Sequence, residues 1–257
     1  MSWLLFSFPC DLVLEFNEET MKKTCKVENL SLISYQQAWD VQNALAEKIA
    51  AGEQTETLLL LQHPHVYTLG RRGKAENLIW SEEQRLSRDV SVLWVDRGGD
   101  ITYHGPGQLV GYPLLRLSPI GWQGDRLPQA DYVGYLRKLE TVLIQTLAAF
   151  EIEGCRVEGK TGVWVNPSSG DYPMKIASIG VKVGSKGISR HGFALNVNPD
   201  MTYWEGIVPC GLEGVEMTSM AKLMKKSVEL DTLREVLVQC FGDLFEREMT
   251  IISNGTE

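Results

Sequence analysis

The sequence lacks the features that mark membrane, secreted and disulfide-bonded proteins. No run approaches the ~18 consecutive apolar residues that a membrane-spanning helix needs. The apolar start, residues 1–19, has no basic region and soon turns acidic, so we expect neither a signal peptide nor membrane attachment. The five cysteines are odd in number, widely spaced and free of CxxC pairs. This pattern favours a cytoplasmic protein over a disulfide framework.

Excess positive charge and clustered metal ligands are also missing. The formal net charge is −8, whereas nucleic-acid binding needs a basic surface, so we expect no nucleic-acid partner. The chain holds four histidines. His63 and His65, in QHPHVY, have no third His or Cys at ligand spacing. We therefore interpret them as hydrogen-bonding side chains and expect no metal.

The chain shows no internal repeat, no low-complexity tract and no evident linker. A length of 257 residues is compatible with one α/β unit, so the sequence predicts a single domain over 1–257. The stretch NPSSGDYPM, residues 166–174, is typical of a surface loop within that domain.

Hydrophobic periodicity predicts both helices and strands. Three stretches have helical spacing, from about Leu32 to Ala51 with Gly52 as a stop, from about Asp131 to Phe150, and from about Asp231 to Glu246. Between them lie strand-like runs: TLLLLQH, HVYTLG, SVLWVD, QLVGYPLLRL, GVWV, KIASIGVKV and FALNVN. Many are apolar enough to be buried on both faces. Because the two patterns mix without a strict rhythm, we predict an α/β protein of the α+β type, a mixed β-sheet flanked by helices.

The cysteines differ in their sequence settings. Cys240 lies on the apolar face of the third predicted helix, where it is typical of a small hydrophobe. Cys155 precedes a strand-like run and is interpreted as structural, while Cys10 and Cys25 lie in a segment without clear periodicity. Cys210, in IVPCG, stands between a proline and a glycine, where a turn would present the sulfur toward a cleft.

Two glycine patterns resemble nucleotide-binding motifs but lack their context. Residues 154–161, GCRVEGKT, satisfy GxxxxGK[ST], yet a P-loop needs a strand before it and a helix after it. Here a predicted helix precedes the pattern and the strand-like GVWV follows. Residues 105–111, GPGQLVG, have the wrong glycine spacing for a dinucleotide site and continue into a strand. Neither pattern predicts a nucleotide site.

Four segments are dense in glycine and polar groups, namely 97–113, 159–165, 174–198 and 207–211. Glycine lets the backbone approach a ligand closely or adopt positive φ. Four such segments in one chain favour a shared site over four unrelated turns.

These segments resemble the motifs of the octanoyltransferases of lipoate biosynthesis. RGGDITYHGPGQLVGYP is similar to the signature RGGxxTxHxxGQxVxYP, and GKTGVWV, KIASIG, HGFALNVN and VPCG follow in the family's order. The resemblance spans about Leu59 to Met220, while residues about 1–30 and about 221–257 carry little of it. It implies the fold of the biotin/lipoate protein ligase catalytic domains.

The resemblance also implies a reaction. Such enzymes take an octanoyl group from acyl-carrier protein as a thioester and hold it on a cysteine. They then pass it to a lysine of a lipoyl domain, as in the 2-oxoacid dehydrogenase complexes and the glycine cleavage H protein. The matching residues are Cys210 and Lys175. A thiol, with a reference pKa of about 8.5, is a weak nucleophile until deprotonated, and a nearby ammonium favours the thiolate. Because passing an acyl group from a thioester to an amine is downhill, we expect no ATP, and the histidine spacing above predicts no metal.

Substrate-binding segments follow from the same resemblance. An acyl-binding loop corresponds to Arg97, Gly98, Gly99, Asp100, Ile101, Thr102, Tyr103 and His104, and two further segments correspond to Ser178, Ile179 and Gly180, and to Gly192, Phe193 and Ala194. Thr102 and His104 could instead be structural hydrogen-bonding groups, which we favour for Thr102, and Phe193 could be a core residue. Backbone amides near Gly180 or Gly192 are candidate oxyanion donors, and the sequence does not choose between them.

Two other lysines lie near the motifs. Lys160, in GKTG, is the alternative candidate for the active-site lysine, and Lys175 ranks higher on the motif match alone. Lys182 shares a predicted strand face with Gly180 and not with Ile179.

The overall negative charge requires a local basic patch if an acidic carrier protein is to dock. Arg71, Arg72 and Lys74, in LGRRGKAE, form the best candidate, and a solvated basic turn is an equal alternative.

Two rival functions remain open at this stage. The first is an ATP-dependent lipoate or biotin-type ligase, which needs no cysteine, so Cys210 argues against it. The second is a non-catalytic acyl-binding protein, and the presence of both Cys210 and Lys175 argues against that.

Overall fold

The computed structural model describes residues 22–118, 129–166, 172–212 and 214–252. Cys10 and most of the predicted loop 166–174 lie outside these residues. The α-helices are α1 (Tyr35–Ala51), α2 (Glu82–Leu86), α3 (Gln129–Ala148), α4 (Met220–Met224) and α5 (Leu230–Phe245). Short 3-10 turns occur at Ala75–Asn77, Met201–Gly206 and Pro209–Gly211.

The strands form two sheets. They are β1 (Lys23–Leu32), β2 (Glu56–Gln62), β3 (Val66–Leu69), β4 (Ser91–Trp94), β5 (Ile101–His104), β6 (Gln108–Leu114), β7 (Gly154–Val157), β8 (Lys160–Val165), β9 (Met174–Val183), β10 (Ser189–Asn196) and β11 (Arg247–Ile252). The larger sheet has the order β11-β1-β2-β6-β10-β9-β8-β7, and the smaller one the order β4-β3-β5. The large sheet is mixed, because β1 pairs in parallel with both β11 and β2 while the pairs from β2 to β7 are antiparallel.

Helices cover both faces of the large sheet, which explains its continuous apolar strands. In β2, Leu58 and Leu60 face a core shared with α3 and α5, whereas Leu59 and Leu61 face a second core shared with α1. Successive side chains of a strand point to opposite faces, so a strand that is buried on both faces must be apolar throughout. The predicted mixed sheet with flanking helices is thereby confirmed.

The small sheet builds a separate aromatic core beside the large one. Tyr67 of β3 and Tyr103 of β5 are fully buried there with Trp80, Trp204 and Ile207. The last of these residues precedes the turn Pro209–Gly211, so this core anchors the segment that carries Cys210.

The three predicted helices are confirmed, with small shifts at their ends. Helix α1 begins at Tyr35 rather than near Leu32, because Leu32 still belongs to β1 and Ser34 forms a capping box. It ends at Gly52, whose φ is 80° as a left-handed cap requires. Helices α3 and α5 correspond to the second and third predicted stretches.

The interpretation of one segment was wrong, because residues 101–104, predicted as part of a loop, form β5. Cys25, for which no structural prediction was made, is fully buried in β1. Burial raises the pKa of the Cys25 thiol to about 12. The alternation of β1 escapes notice because most of its residues are at least partly exposed.

Candidate active site

A cavity of about 1090 Å³ opens where the four glycine-rich segments meet. It is lined by the loop before β5, by the middle of β9 and β10, by the β7–β8 turn and by the turn that carries Cys210. The sequence-based expectation of one shared site is therefore realised in the fold.

Cys210 projects from a turn with unusual backbone angles. Its φ of 58° and ψ of 15° lie in the left-handed region, and Gly211 follows with a φ of 65°. Gly211 is close to Asp100, because a Cβ added there would lie 2.6 Å from Asp100 Oδ2. The turn thus lies directly against the loop that precedes β5.

Lys175, near the start of β9, reaches the sulfur. Its Nζ donates a hydrogen bond to Cys210 Sγ at 3.2 Å, and the residue is only 3% exposed. Its backbone N–H donates to the Glu216 carbonyl at 2.8 Å, and its own carbonyl accepts from the Thr218 N–H at 2.9 Å. The ammonium lies 5.3 Å from the centre of the Trp164 ring. The lysine and the cysteine therefore meet although 35 residues separate them in sequence.

The other two lysines have different neighbours. Lys160 Nζ lies over the same Trp164 ring at 5.3 Å, and Lys160 is an exposed residue of the cavity lining. Lys182 pairs with Asp96 at 2.5 Å. Within the described residues, Lys175 is the lysine whose hydrogen bond reaches Cys210.

The polar residues of the loop 97–100 are largely used in holding the site together. The buried Arg97 guanidinium donates to the carbonyls of Thr68, Gly98 and Asp100 at 2.6–3.0 Å. One oxygen of Asp100 accepts from Asn77 Nδ2 at 2.8 Å. The other accepts from the Lys74 and Ile101 N–H groups at 3.2 and 2.6 Å. Both side chains therefore act chiefly as clamps between loops.

The residues of β5 divide between the two faces of their strand. Thr102 and His104 share the face that lines the cavity, whereas Ile101 and Tyr103 share the face that packs in the aromatic core. Ile101 also contributes to the lining, and Tyr103 hydrogen bonds to His65. Burial holds the pKa of His104 well below its ordinary value, so this histidine is neutral. Thr102 Oγ1 is buried and has no hydrogen-bond partner among the described residues.

The two other predicted binding segments pair with each other across β9 and β10. Gly180 lies opposite Gly192, Ile179 opposite Phe193, and Ser178 opposite Ala194, and all six line the cavity. Glycine is needed at Gly192, since a Cβ there would lie 2.1 Å from the carbonyl oxygen of Gly111. Phe193 belongs to the main core as well as to the cavity lining.

A buried polar group at the cavity wall was missed by the sequence analysis. His191 has a φ of 56°; its Nε2 lies 2.7 Å from Asp96 Oδ1 and its Nδ1 lies 3.2 Å from Tyr35 Oη. Burial lowers the pKa of His191, although Asp96 acts in the opposite direction. No local motif marks this cluster, because its members come from α1, the β4–β5 loop and β10.

The basic residues Arg71, Arg72 and Lys74 are exposed and line the cavity from the loop after β3. The N–H groups of Arg71 and Arg72 donate to the carbonyls of Arg97 and Gly99, so the loop is fixed against the site.

The motifs set aside in the sequence have ordinary structural roles. Residues 154–161 form the β7 strand and its turn into β8, which is not the strand–loop–helix unit of a P-loop. His63 hydrogen bonds to Tyr112 and to the Ile33 carbonyl. No cluster of three metal-ligating side chains occurs among the described residues, and none of their helices is long and apolar enough to cross a membrane.

Comparison with known proteins gives a match over most of the chain. The lipoyl protein ligase A/B catalytic domain family matches residues 34–242. The octanoyltransferase of Cytophaga hutchinsonii is 41% identical over 237 residues, which cover 87% of this chain and 93% of that protein. The octanoyltransferase of Rubrobacter xylanophilus is 44% identical over 214 residues, 83% of this chain and 90% of that protein.

Solved structures of low identity share the fold. A bipartite lipoate protein ligase from Thermoplasma acidophilum superposes with a TM-score of 0.64 at 14% identity, over 90% of this chain and 88% of that one. Lipoate-protein ligase A, solved with bound ATP, gives a TM-score of 0.62 at 14% identity, over 91% and 90% of the two chains. At this identity the likeness concerns the fold alone.

Proposed function

Because the chain belongs to the lipoyl protein ligase A/B catalytic domain family, and within it to the octanoyltransferases of lipoate biosynthesis, it is an acyltransferase, and we propose that Cys210 carries the octanoyl group as a thioester. The observation that carries the proposal is the 3.2 Å hydrogen bond from Lys175 Nζ to Cys210 Sγ inside the cavity. A buried ammonium beside a thiol favours the thiolate, which is the nucleophilic form.

The first half-reaction loads the enzyme. The thiolate attacks the carbonyl carbon of an octanoyl thioester on acyl-carrier protein, so that a new C–S bond forms to Cys210 and the bond to the carrier's sulfur breaks. The departing thiolate takes a proton from Lys175, which is left as a neutral amine.

The second half-reaction transfers the octanoyl group from Cys210 to a lysine of a lipoyl domain. The amine of that lysine attacks the Cys210 thioester, an amide bond forms and the C–S bond to Cys210 breaks. Lys175, now neutral, accepts the proton that the attacking nitrogen loses. The ammonium–thiolate pair is restored, so the cycle needs neither ATP nor a metal.

The apolar part of the cavity lining suits the acyl chain. Ile179 and Phe193 face one another across β9 and β10, and Leu136 of α3 lies nearby in the lining. Burying an eight-carbon chain at ~0.8 kcal/mol per methylene supplies roughly 5 kcal/mol before ordering costs. The segments 97–104, 178–180 and 192–194 are accordingly proposed as the octanoyl-binding surface.

The shared fold leaves the ATP-dependent ligase as the principal rival. A ligase that activates the free acid as an adenylate has no use for a thiol in hydrogen-bond contact with a buried lysine. The Cys210–Lys175 contact therefore supports the transferase, although the fold alone does not distinguish the two.

Mass spectrometry of the intact protein tests the proposal. Incubation with octanoyl-carrier protein in the absence of ATP should add one octanoyl group to the wild type and to Cys155→Ala, which changes a cysteine outside the cavity lining. Cys210→Ala should add none. Formation of octanoylated lipoyl domain by Cys210→Ala at the wild-type rate without ATP would refute the thioester, and formation that requires ATP would support the ligase instead.

A further inference from the structure

A buried carboxylate lies behind the active-site lysine. Glu140, on α3, is 1% exposed, and acidic side chains are almost never so buried unless they are paired. Its Oε2 accepts from Arg137 at 2.7 Å and from Arg156 Nε at 2.9 Å. Arg156 also donates to the Arg137 carbonyl and to Thr141 Oγ1, so the carboxylate is held in one orientation.

The second oxygen of this carboxylate faces the sheet. Glu140 Oε1 accepts a hydrogen bond from the backbone N–H of Gly162, in β8, at 3.1 Å. The pairing of β8 with β9 shifts at this point, because Val163 lies opposite Ala177 whereas Trp164 lies opposite Lys175. One extra residue of β9, Ile176, is accommodated there. Such a bulge changes the direction of a neighbouring side chain.

Gly162 provides the surface along which the lysine side chain passes. Its φ is 117°, and a Cβ at this position would lie 2.7 Å from Lys175 Cε and 3.3 Å from Lys175 Nζ. The Gly162 backbone and the end of the Lys175 side chain are therefore close together, and we expect a shift of this backbone to move the ammonium. The only charged side chain that contacts the Gly162 N–H among the described residues is Glu140.

We infer that Glu140 is a positioning residue for the transfer reaction. Its carboxylate fixes the Gly162 amide, and the Gly162 backbone in turn holds Lys175 Nζ within 3.2 Å of Cys210 Sγ. This inference rests on the proposed function, because it concerns the delivery of the lysine to the sulfur. Glu140 itself touches neither reacting atom.

The test measures the rate of Cys210 alkylation by iodoacetamide as a function of pH, together with kcat and KM for octanoyl-carrier protein. In Glu140→Ala the ammonium is no longer held at the sulfur, so the midpoint of the alkylation profile should move to higher pH. A misplacement of about 1 Å can cost about a hundredfold in rate, so we expect kcat to fall by about tenfold to a hundredfold. KM should stay within about twofold, since the acyl-binding surface is unchanged.

Two variants separate positioning from folding stability. Glu140→Gln keeps an oxygen that can accept from Gly162, and should retain most of the wild-type alkylation profile even if the ion pairs are lost. Thr146→Val removes a buried hydrogen bond elsewhere on α3, from Thr146 Oγ1 to the Val142 carbonyl, and should leave the profile in place whatever its effect on the melting temperature. Should Glu140→Ala prove unfolded, Glu140→Gln and Gly162→Ala are compared instead. Glu140→Gln should keep the alkylation midpoint and kcat near the wild-type values, whereas Gly162→Ala should lower kcat. Equal values of kcat in these two variants would overturn the role of Glu140.

Lys175→Ala is the reference for the full loss of the ammonium. A wild-type midpoint in folded Glu140→Ala, or an equal shift in Thr146→Val, overturns the role of Glu140 while leaving the Cys210–Lys175 pair intact. An unchanged midpoint in Lys175→Ala overturns the role of the pair, and the inference about Glu140 with it. The other charged groups near the turn, Asp100 and Lys160, are present in every variant.

Discussion

At the residue scale, the proposed nucleophile, Cys210, depends on a backbone conformation that residues other than glycine rarely adopt. Cys210 and Gly211 are consecutive residues with φ near 60°, and a Cβ added to Gly211 would lie 2.6 Å from Asp100 Oδ2. A non-glycine residue in this region costs of order 1–3 kcal/mol, and such strain persists only where the surroundings hold it. The turn is therefore held by its neighbours rather than by its own preference.

Replacing Gly211 by alanine should displace the turn. The added Cβ would lie 2.6 Å from Asp100 Oδ2 and 3.0 Å from Asn77 Nδ2. Because hydrogen bonds hold both of these side chains in place, we expect the turn to shift and to carry Sγ with it. We expect the rate of Cys210 acylation to fall by about tenfold or more. Gly214→Ala is the matched control, because Gly214 has a φ of 73° and nothing within 4 Å of its would-be Cβ. Equal loss of activity in both variants would show that strain, not the contact with Asp100, is responsible.

A buried neutral histidine should make the fold sensitive to acid. His63 hydrogen bonds to the Ile33 carbonyl and to Tyr112 Oη, and burial lowers its pKa from 6.5 to about 4. The unfolded chain binds a proton at this histidine more readily than the folded chain does. The contribution of His63 to the free energy of unfolding is therefore fully present above about pH 6.5 and is lost as pH falls toward 4. The loss is of order 3 kcal/mol.

Urea denaturation across this pH range measures the effect. The free energy of unfolding should fall with pH more steeply in the wild type than in His63→Gln, which cannot take up the proton. The other buried histidines, His104 and His191, are present in both proteins, and burial is the main cause that lowers the pKa of each. Parallel pH dependences in the two proteins would contradict the assignment of a neutral His63.

At the element scale, the cysteine turn is joined to the small sheet through Asn77. Its carbonyl accepts from the Val208 N–H at 2.8 Å, and its side chain donates to Asp100 Oδ2 at 2.8 Å. The turn Ala75–Asn77 thus connects the loop before β5 with the segment that precedes Cys210.

The hydrogen bond between Asn77 and Asp100 should appear as energetic coupling between substitutions at these two positions. Asn77→Ala and Asp100→Ala should each slow acylation of Cys210. The double variant should be less impaired than the sum of the two single free-energy losses predicts. A coupling energy of about 1 kcal/mol is expected for one such hydrogen bond in a shared network. Strictly additive losses in kcat/KM would mean that Asp100 acts independently of Asn77.

Sequence patterns predicted the elements whose signal is local. The helix stripes of α1, α3 and α5 and the apolar runs of β2, β6 and β9 are each visible within a short window. Strands β1, β5, β7 and β11 were missed because they are short or partly exposed, so that pairing partners distant in sequence define them. The same limit applies to the site. The motifs pointed to Cys210 and Lys175, but Asn77, Glu140 and His191 act through long-range contacts that no motif contains.

At the scale of the whole molecule, the charge distribution affects the association of the enzyme with its proposed donor, acyl-carrier protein. The chain has a net charge of −8, yet Arg71, Arg72 and Lys74 line the cavity that contains Cys210. We propose this basic loop as the docking surface for the acidic carrier protein. Charge complementarity of this kind raises association rates more than affinities, and the effect weakens with salt.

Charge reversal at the basic loop should affect only the large donor. Arg71→Glu combined with Arg72→Glu should slow acylation of Cys210 by octanoyl-carrier protein but not by a small octanoyl thioester. Lys225→Glu with Lys226→Glu makes the same change in net charge at exposed positions outside the cavity and should leave both rates unaltered. Equal slowing with both donors would refute the docking role.

The most direct measurement of the central claim is a single-turnover chase. Enzyme carrying one octanoyl group on Cys210 is isolated, freed of donor, and mixed with a lipoyl domain in the absence of ATP. The account predicts that the octanoyl group leaves the enzyme and appears as an amide on the lipoyl-domain lysine, one for each enzyme molecule, at least as fast as steady-state turnover. An acylated enzyme that keeps its octanoyl group, while the lipoyl domain is modified only when ATP and free acid are supplied, would contradict it.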